Sequence, residues 1–147
     1  MKSRILNIFV SLLVFSLISI PVHEWCHYWV CEWLGGEANV TYPTMISGHY
    51  EYYGTVSNEM AVMFAGGLGT FLFFSMLWAL ARWTPTRWDL DDEFAVCLTG
   101  VTQLGYAFCE GFDISAGMVI SSVMGFTSIV VIAAYASSLI DFARRGK

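Results

Sequence analysis

From Ile5 to about Leu34 the chain is apolar for long enough to cross a bilayer, and near the end of that run it carries His23-Glu24-Trp25-Cys26-His27. A spanning helix needs about 20 mostly apolar residues. Three further runs follow, from Met60 to about Ala81, from Phe94 to about Phe112, and from Ile114 to about Phe142. Charged residues make up only 13% of the chain and hydrophobic residues 56%, whereas a soluble domain carries about 25% charged residues. The expected fold is an all-α integral membrane protein with about four transmembrane helices. It forms a single membrane-embedded domain over 1–147, with a core at 5–115 and an additional C-terminal helix at 114–142.

Charges between the runs set an expected orientation. Lys2 and Arg4 precede the first run, Arg82 and Arg87 follow the second, and Arg144, Arg145 and Lys147 close the chain. The segment from Glu32 to Glu59 holds four Glu and no Lys or Arg. By the positive-inside rule the protein is multi-pass with both termini cytoplasmic. Lys2 and Arg4 ahead of an apolar run also describe a signal peptide, but no small-x-small site follows, and the histidine motif begins where cleavage would fall. Trp78, Trp83 and Trp88 cluster around the Arg82/Arg87 loop, as an interfacial aromatic belt does.

The stretch from Ala38 to Val56 is not helical in pattern. Val40, Tyr42, Tyr50, Tyr52 and Tyr53 favour strand, and Ser47-Gly48 reads as a turn, so a short β-hairpin or interfacial loop is expected after the first helix. The four cysteines, Cys26, Cys31, Cys97 and Cys109, form no C-x-x-C pair and read as small apolar residues. The net charge of −5 argues against a nucleic-acid partner, because phosphate contacts need a basic face.

The H-E-x-x-H spacing carries the chemistry. Residues four apart on a helix share a face, so His23 and His27 can reach one zinc ion at about 2.0–2.1 Å. Glu24, beside them, can take a proton from a water that the metal activates. A catalytic zinc usually has three protein ligands. The first and third helices run in the same direction, so the end of the third reaches the depth of the motif. Asp113 is the first choice for the third ligand and Glu110, one turn earlier, the second. His49, Glu51 and Glu59 are weaker choices from the loop. The bland reading of Glu110 and Asp113 is a solvated turn, and of the histidines an interfacial pair.

Three segments together resemble the site-2 protease class of intramembrane zinc metalloproteases. His23-Glu24-x-x-His27 followed by Leu34-Gly35 resembles that family's motif helix. Phe64-Ala65-Gly66-Gly67-Leu68-Gly69-Thr70 resembles its small-residue A-G-P-x-x-N segment, with Gly67 at the Pro and Thr70 at the Asn. Gly111-Phe112-Asp113 stands where the family has its Asp-Gly motif, here with Ile114 after the Asp. The likeness covers roughly 5–115. It implies a zinc metalloendopeptidase that cleaves membrane-protein or peptide substrates, with Glu24 catalytic and His23, His27 and Asp113 on the metal. Asn58 and His49 are guesses for an oxyanion donor, and the hairpin edge is a place to hold an extended substrate. Two alternatives stand beside this: a non-proteolytic zinc-binding membrane protein, and a structural membrane subunit. Gly66, Gly67 and Gly69 can pack within the fold or in a homo-oligomer.

Overall fold

The computed structural model describes residues 2–44, 47–83 and 90–114. The elements run α1 (Lys2–Trp33), β1 (Glu37–Thr44), β2 (Ser47–Tyr53), α2 (Glu59–Trp83) and α3 (Leu90–Gly111). Among the described residues two helices are long and apolar enough to cross a membrane, Leu6–Trp33 and Glu59–Ala81. The third expected span forms α3 but is not among them. Its first turn holds Asp91, Asp92 and Glu93, and Thr99, Thr102, Gln103 and Glu110 dilute its apolar content. Among the described residues, then, two of the four expected transmembrane helices are found. The fourth run, 114–142, lies outside the described residues apart from Ile114, as do Arg87, Trp88 and the basic C-terminal residues on which the orientation rested.

Side-chain pairings give the packing directions. Ser11 bonds Asp92, and His23 meets Gln103 and Glu110, so α1 and α3 advance together and lie parallel. Against α2 the order reverses: His27 bonds the Val62 carbonyl, while Phe15 packs edge-on against Phe74 at 6.0 Å. The arrangement is up–down–up, as the sequence order of the runs implies.

Small residues let α2 and α3 approach closely. A Cβ on Gly67 would lie 2.6 Å from the Gln103 carbonyl oxygen and 2.7 Å from the Ala107 Cα. Those are backbone atoms, which cannot swing aside. Phe74, 1% exposed, fills the space over Gly100. The small-residue stripe is used inside the fold at this position.

α1 ends by design of its last residues. Gly36 N–H donates to the Cys31 carbonyl and Gly35 N–H to the Glu32 carbonyl, the paired bonds of a Schellman cap. Gly35 takes φ +88°, which a residue without Cβ adopts freely. The cap turns the chain back into an antiparallel hairpin in the register Glu37↔Tyr53, Asn39↔Glu51 and Thr41↔His49, with an irregularity between Thr41 and Thr44. Pro43, which lacks an N–H, falls in that irregular part. Ser47-Gly48, expected as the turn, instead opens β2. Asn58 starts α2: its side-chain oxygen accepts from Ala61 N–H at 3.0 Å, an N-cap bond.

Gly67→Ala should destabilise the protein by about 1–3 kcal/mol through overpacking, while Leu72→Ala, on an exposed face, should shift it by less than about 0.5 kcal/mol. Reversible unfolding of both variants in mild detergent measures the difference.

Candidate metal centre

His23 and His27 project from one face of α1 into the junction of all three helices, where they are 7% and 5% exposed. Each ring is tied at Nδ1. His27 Nδ1 lies 2.7 Å from the Val62 carbonyl oxygen. A carbonyl only accepts, so this nitrogen carries the proton and Nε2 of the neutral ring is a bare lone pair. His23 Nδ1 lies 3.1 Å from Gln103 Oε1. Both Nε2 atoms point inward, 3.2 Å apart. Tyr50 of β2 stacks on the His27 ring at 5.0 Å and Tyr106 packs edge-on to His23 at 5.2 Å.

The third group is Glu110. Its Oε2 lies 3.2 Å from His23 Nε2 and 3.5 Å from His27 Nε2. Ligands at about 2.0–2.1 Å in tetrahedral array lie about 3.3 Å from one another, so the three separations are close to the edges of one zinc tetrahedron. Among the described residues His23, His27 and Glu110 are the group that can hold a metal ion. Glu110 Oε2 is buried and receives no hydrogen bond. Two imidazole nitrogens and a carboxylate oxygen that converge in this way could hold a cation.

Gly66 makes the space. A Cβ there would fall 2.6 Å from His23 Nε2 and closer still to His27 Nε2, within the volume the lone pairs share. Its carbonyl is met by the Thr70 hydroxyl at 2.8 Å. The Gly-Gly-x-Gly-Thr segment of α2 thus has a double use: Gly66 borders the imidazoles and Gly67 borders α3. Gly69 borders Cys26, whose thiol faces α2 and not the metal cluster.

Asp113, the first choice for third ligand, is not at the imidazoles. α3 ends at Gly111, and Asp113 N–H and Ile114 N–H bond the carbonyls of Glu110 and Cys109. Asp113 is the left-handed residue of a helix cap, at φ 49°, a conformation Asp tolerates better than most residues. Its side chain is exposed. Glu110, the second choice, occupies the place because it is still on the helix, one and two turns beyond Tyr106 and Gln103 on the same face. His49 is not at the cluster either. It bonds Glu51 at 3.1 Å with its side chain 60% exposed. The hydroxyl of Tyr53 and the ring of His49 hold the Glu51 carboxyl below its usual range, and these neighbours occupy it. Asn58 serves as an N-cap, and Glu59 is exposed at the start of α2.

Glu24 is half-buried and packs against Gly48, where a Cβ would lie 2.7 Å from Glu24 Oε1. With the imidazoles and Glu110 it lines a cleft of 950 Å³. The other wall is β2, all of whose residues from 48 to 53 border the cleft. A strand presenting one face would contribute alternate residues; consecutive ones mean that its edge runs along the opening.

Comparison with family models, curated proteins and solved structures gives no match. The site therefore stands on this chain's own geometry. Purified protein loaded with zinc and freed of excess should hold about one ion per chain. His23→Ala, His27→Ala and Glu110→Gln should each lose most of it, whereas Asp113→Asn should keep it. Gly66→Ala should also lose metal, because the added methyl enters the shared volume. Elemental analysis of the five variants checks the assignment.

Proposed function

We propose that the protein is an intramembrane zinc metalloprotease, in which His23, His27 and Glu110 hold the metal and Glu24 is the general base. The observation that carries this reading is the convergence of two Nδ1-tied imidazoles and the Glu110 carboxylate, whose buried Oε2 receives no hydrogen bond, beside a second, uncommitted glutamate on an open cleft. A structural zinc site is closed by four protein ligands, and a catalytic one keeps a position free. Three ligands facing a cleft fit the second pattern.

A bound zinc ion would supply Lewis acidity, lowering the pKa of a water and polarising a carbonyl. Glu24 then accepts the proton and later returns it to the leaving amine. It follows His23 directly on α1, so it reaches the cleft without entering the ligand set. The edge of β2 can hold an extended peptide by strand addition, leaving its backbone hydrogen bonds satisfied. That suits a membrane substrate, whose scissile bond must first leave its own helix.

The bilayer setting is supported by where the apolar surface lies. Only 11% of the apolar window of α1 is buried, and 33% of that of α2. A helix in the core of a soluble protein would bury most of it. Leu6, Phe9, Leu13, Leu72 and Met76 are each more than half exposed. Trp29 and Trp33 stand exposed at one end of α1 and Trp83 at the opposite end of the bundle, as aromatic residues do at the two interfaces. The multi-pass arrangement with cytoplasmic termini remains part of this proposal.

Glu24→Gln should retain zinc and lose cleavage of a helical reporter reconstituted in proteoliposomes, by about 10²–10⁴-fold. Chelation should abolish cleavage and zinc should restore it. A parent protein that binds zinc and leaves every reporter intact would instead favour a non-proteolytic zinc protein.

A further inference from the structure

The two imidazoles are tied by different chemistry. His27 faces a carbonyl, which fixes its proton outright. His23 faces a side-chain amide, and an amide can present either its oxygen or its NH₂. Were the NH₂ turned to His23, Nδ1 would have to accept. The ring proton of the neutral imidazole would then sit on Nε2 and block the metal position. Something must decide which way the Gln103 amide points.

Ser19 decides it. Its hydroxyl is buried, 4% exposed, and lies 2.7 Å from the Ser16 carbonyl oxygen. That carbonyl only accepts, so the single hydroxyl hydrogen is committed there. Towards Gln103 the Ser19 oxygen can therefore only accept. Gln103 Nε2 lies 3.4 Å from it and donates. Gln103 Oε1 is left for His23 Nδ1–H at 3.1 Å, and in the neutral ring His23 Nε2 is then bare where it meets Glu110. The direction of each bond follows from the one before it. The series starts at a backbone carbonyl, which has no alternative role.

We propose that Gln103, oriented by Ser19, is a positioning residue that holds His23 as the Nδ1–H tautomer and aims its Nε2 lone pair at the metal. This rests on the metal-centre reading. Gln103 and Glu110 are seven residues apart on α3, so the ligand and the residue that orients another ligand come from one helix face. Partners of this kind on metal-bound histidines typically contribute 10–100-fold in metal affinity.

The test is a zinc competition titration against a chromophoric chelator, on the full-length chain in detergent. Gln103→Leu, which keeps the volume and removes the acceptor, should bind zinc about 10–100-fold more weakly. Gln103→Glu keeps an oxygen towards His23 and should restore most of the affinity. Ser19→Ala frees the amide to turn and should weaken binding less than Gln103→Leu. The visible spectrum of the cobalt-loaded protein should change for Gln103→Leu and stay near the parent's for Gln103→Glu, which a merely structural role would not produce. A folded Gln103→Leu with the parent's affinity would overturn the proposal while leaving the metal centre standing. Should Gln103→Leu fail to fold, unchanged affinity in Ser19→Ala would overturn it instead. A parent chain that binds no zinc would overturn the metal centre, and this inference with it.

Discussion

Two imidazole Nε2 atoms and a carboxylate oxygen are held within 3.2–3.5 Å of one another, and with both rings neutral and protonated at Nδ1 no proton lies among them. That is the constraint on which the rest of the arrangement depends. Like-signed partial charges brought together in a buried place repel, and each forgoes a hydrogen bond to water. A buried group left unsatisfied costs about 1–3 kcal/mol, and more when charged. The neighbouring elements look like the apparatus that enforces this proximity. Val62 and Gln103 fix the rings from outside, Gly66 gives up its side chain to leave room, and Tyr50 and Tyr106 cover the ring faces.

The helix order serves the same end. Parallel packing of α1 and α3 brings the end of one beside the end of the other, so the ligand pair on α1 meets a carboxylate from the last turn of α3. α2, running back between them, supplies both the carbonyl that ties His27 and the two glycines that set the approach distances. The hairpin follows directly from the α1 cap, which is why its second strand lies over Glu24 and forms the wall of the cleft.

Much of this was legible in the sequence. The H-E-x-x-H motif placed His23, Glu24 and His27 around one cleft because a four-residue spacing has a single geometric meaning on a helix. The tyrosine-rich segment formed strands as its composition implies. The parallel relation of the first and third helices followed from counting the runs. What could not be read was where α3 stops. A one-turn difference at a helix end decides between Glu110 and Asp113, and the stop is set by cap bonds in which Asp113 itself takes the left-handed position usually given to Gly. Gln103 carried no motif, since its role depends on a ring 80 residues away in sequence. A seven-residue spacing to Glu110, which puts the two on one face of a helix, was the one available signal. The third span was not found for a related reason: Gln103 and Glu110, which line the site, add to the polar content of α3.

That last point bears on why the polar groups are there at all. Gln103, Glu110 and the two imidazoles occupy a helix junction that leucine or phenylalanine would fill at less desolvation cost, and replacing a buried ionic cluster by well-packed apolar residues is often neutral or stabilising. A lone helix-bound carboxylate in an apolar setting is costly unless something neutralises it. Stability alone therefore does not account for a carboxylate oxygen without a donor at the centre of the fold. In the proposed reading a divalent cation does: it would convert three mutually repelling groups into ligands and leave the hydrogen bonds at both Nδ1 atoms intact. The metal-free protein should then be the less ordered form at this junction.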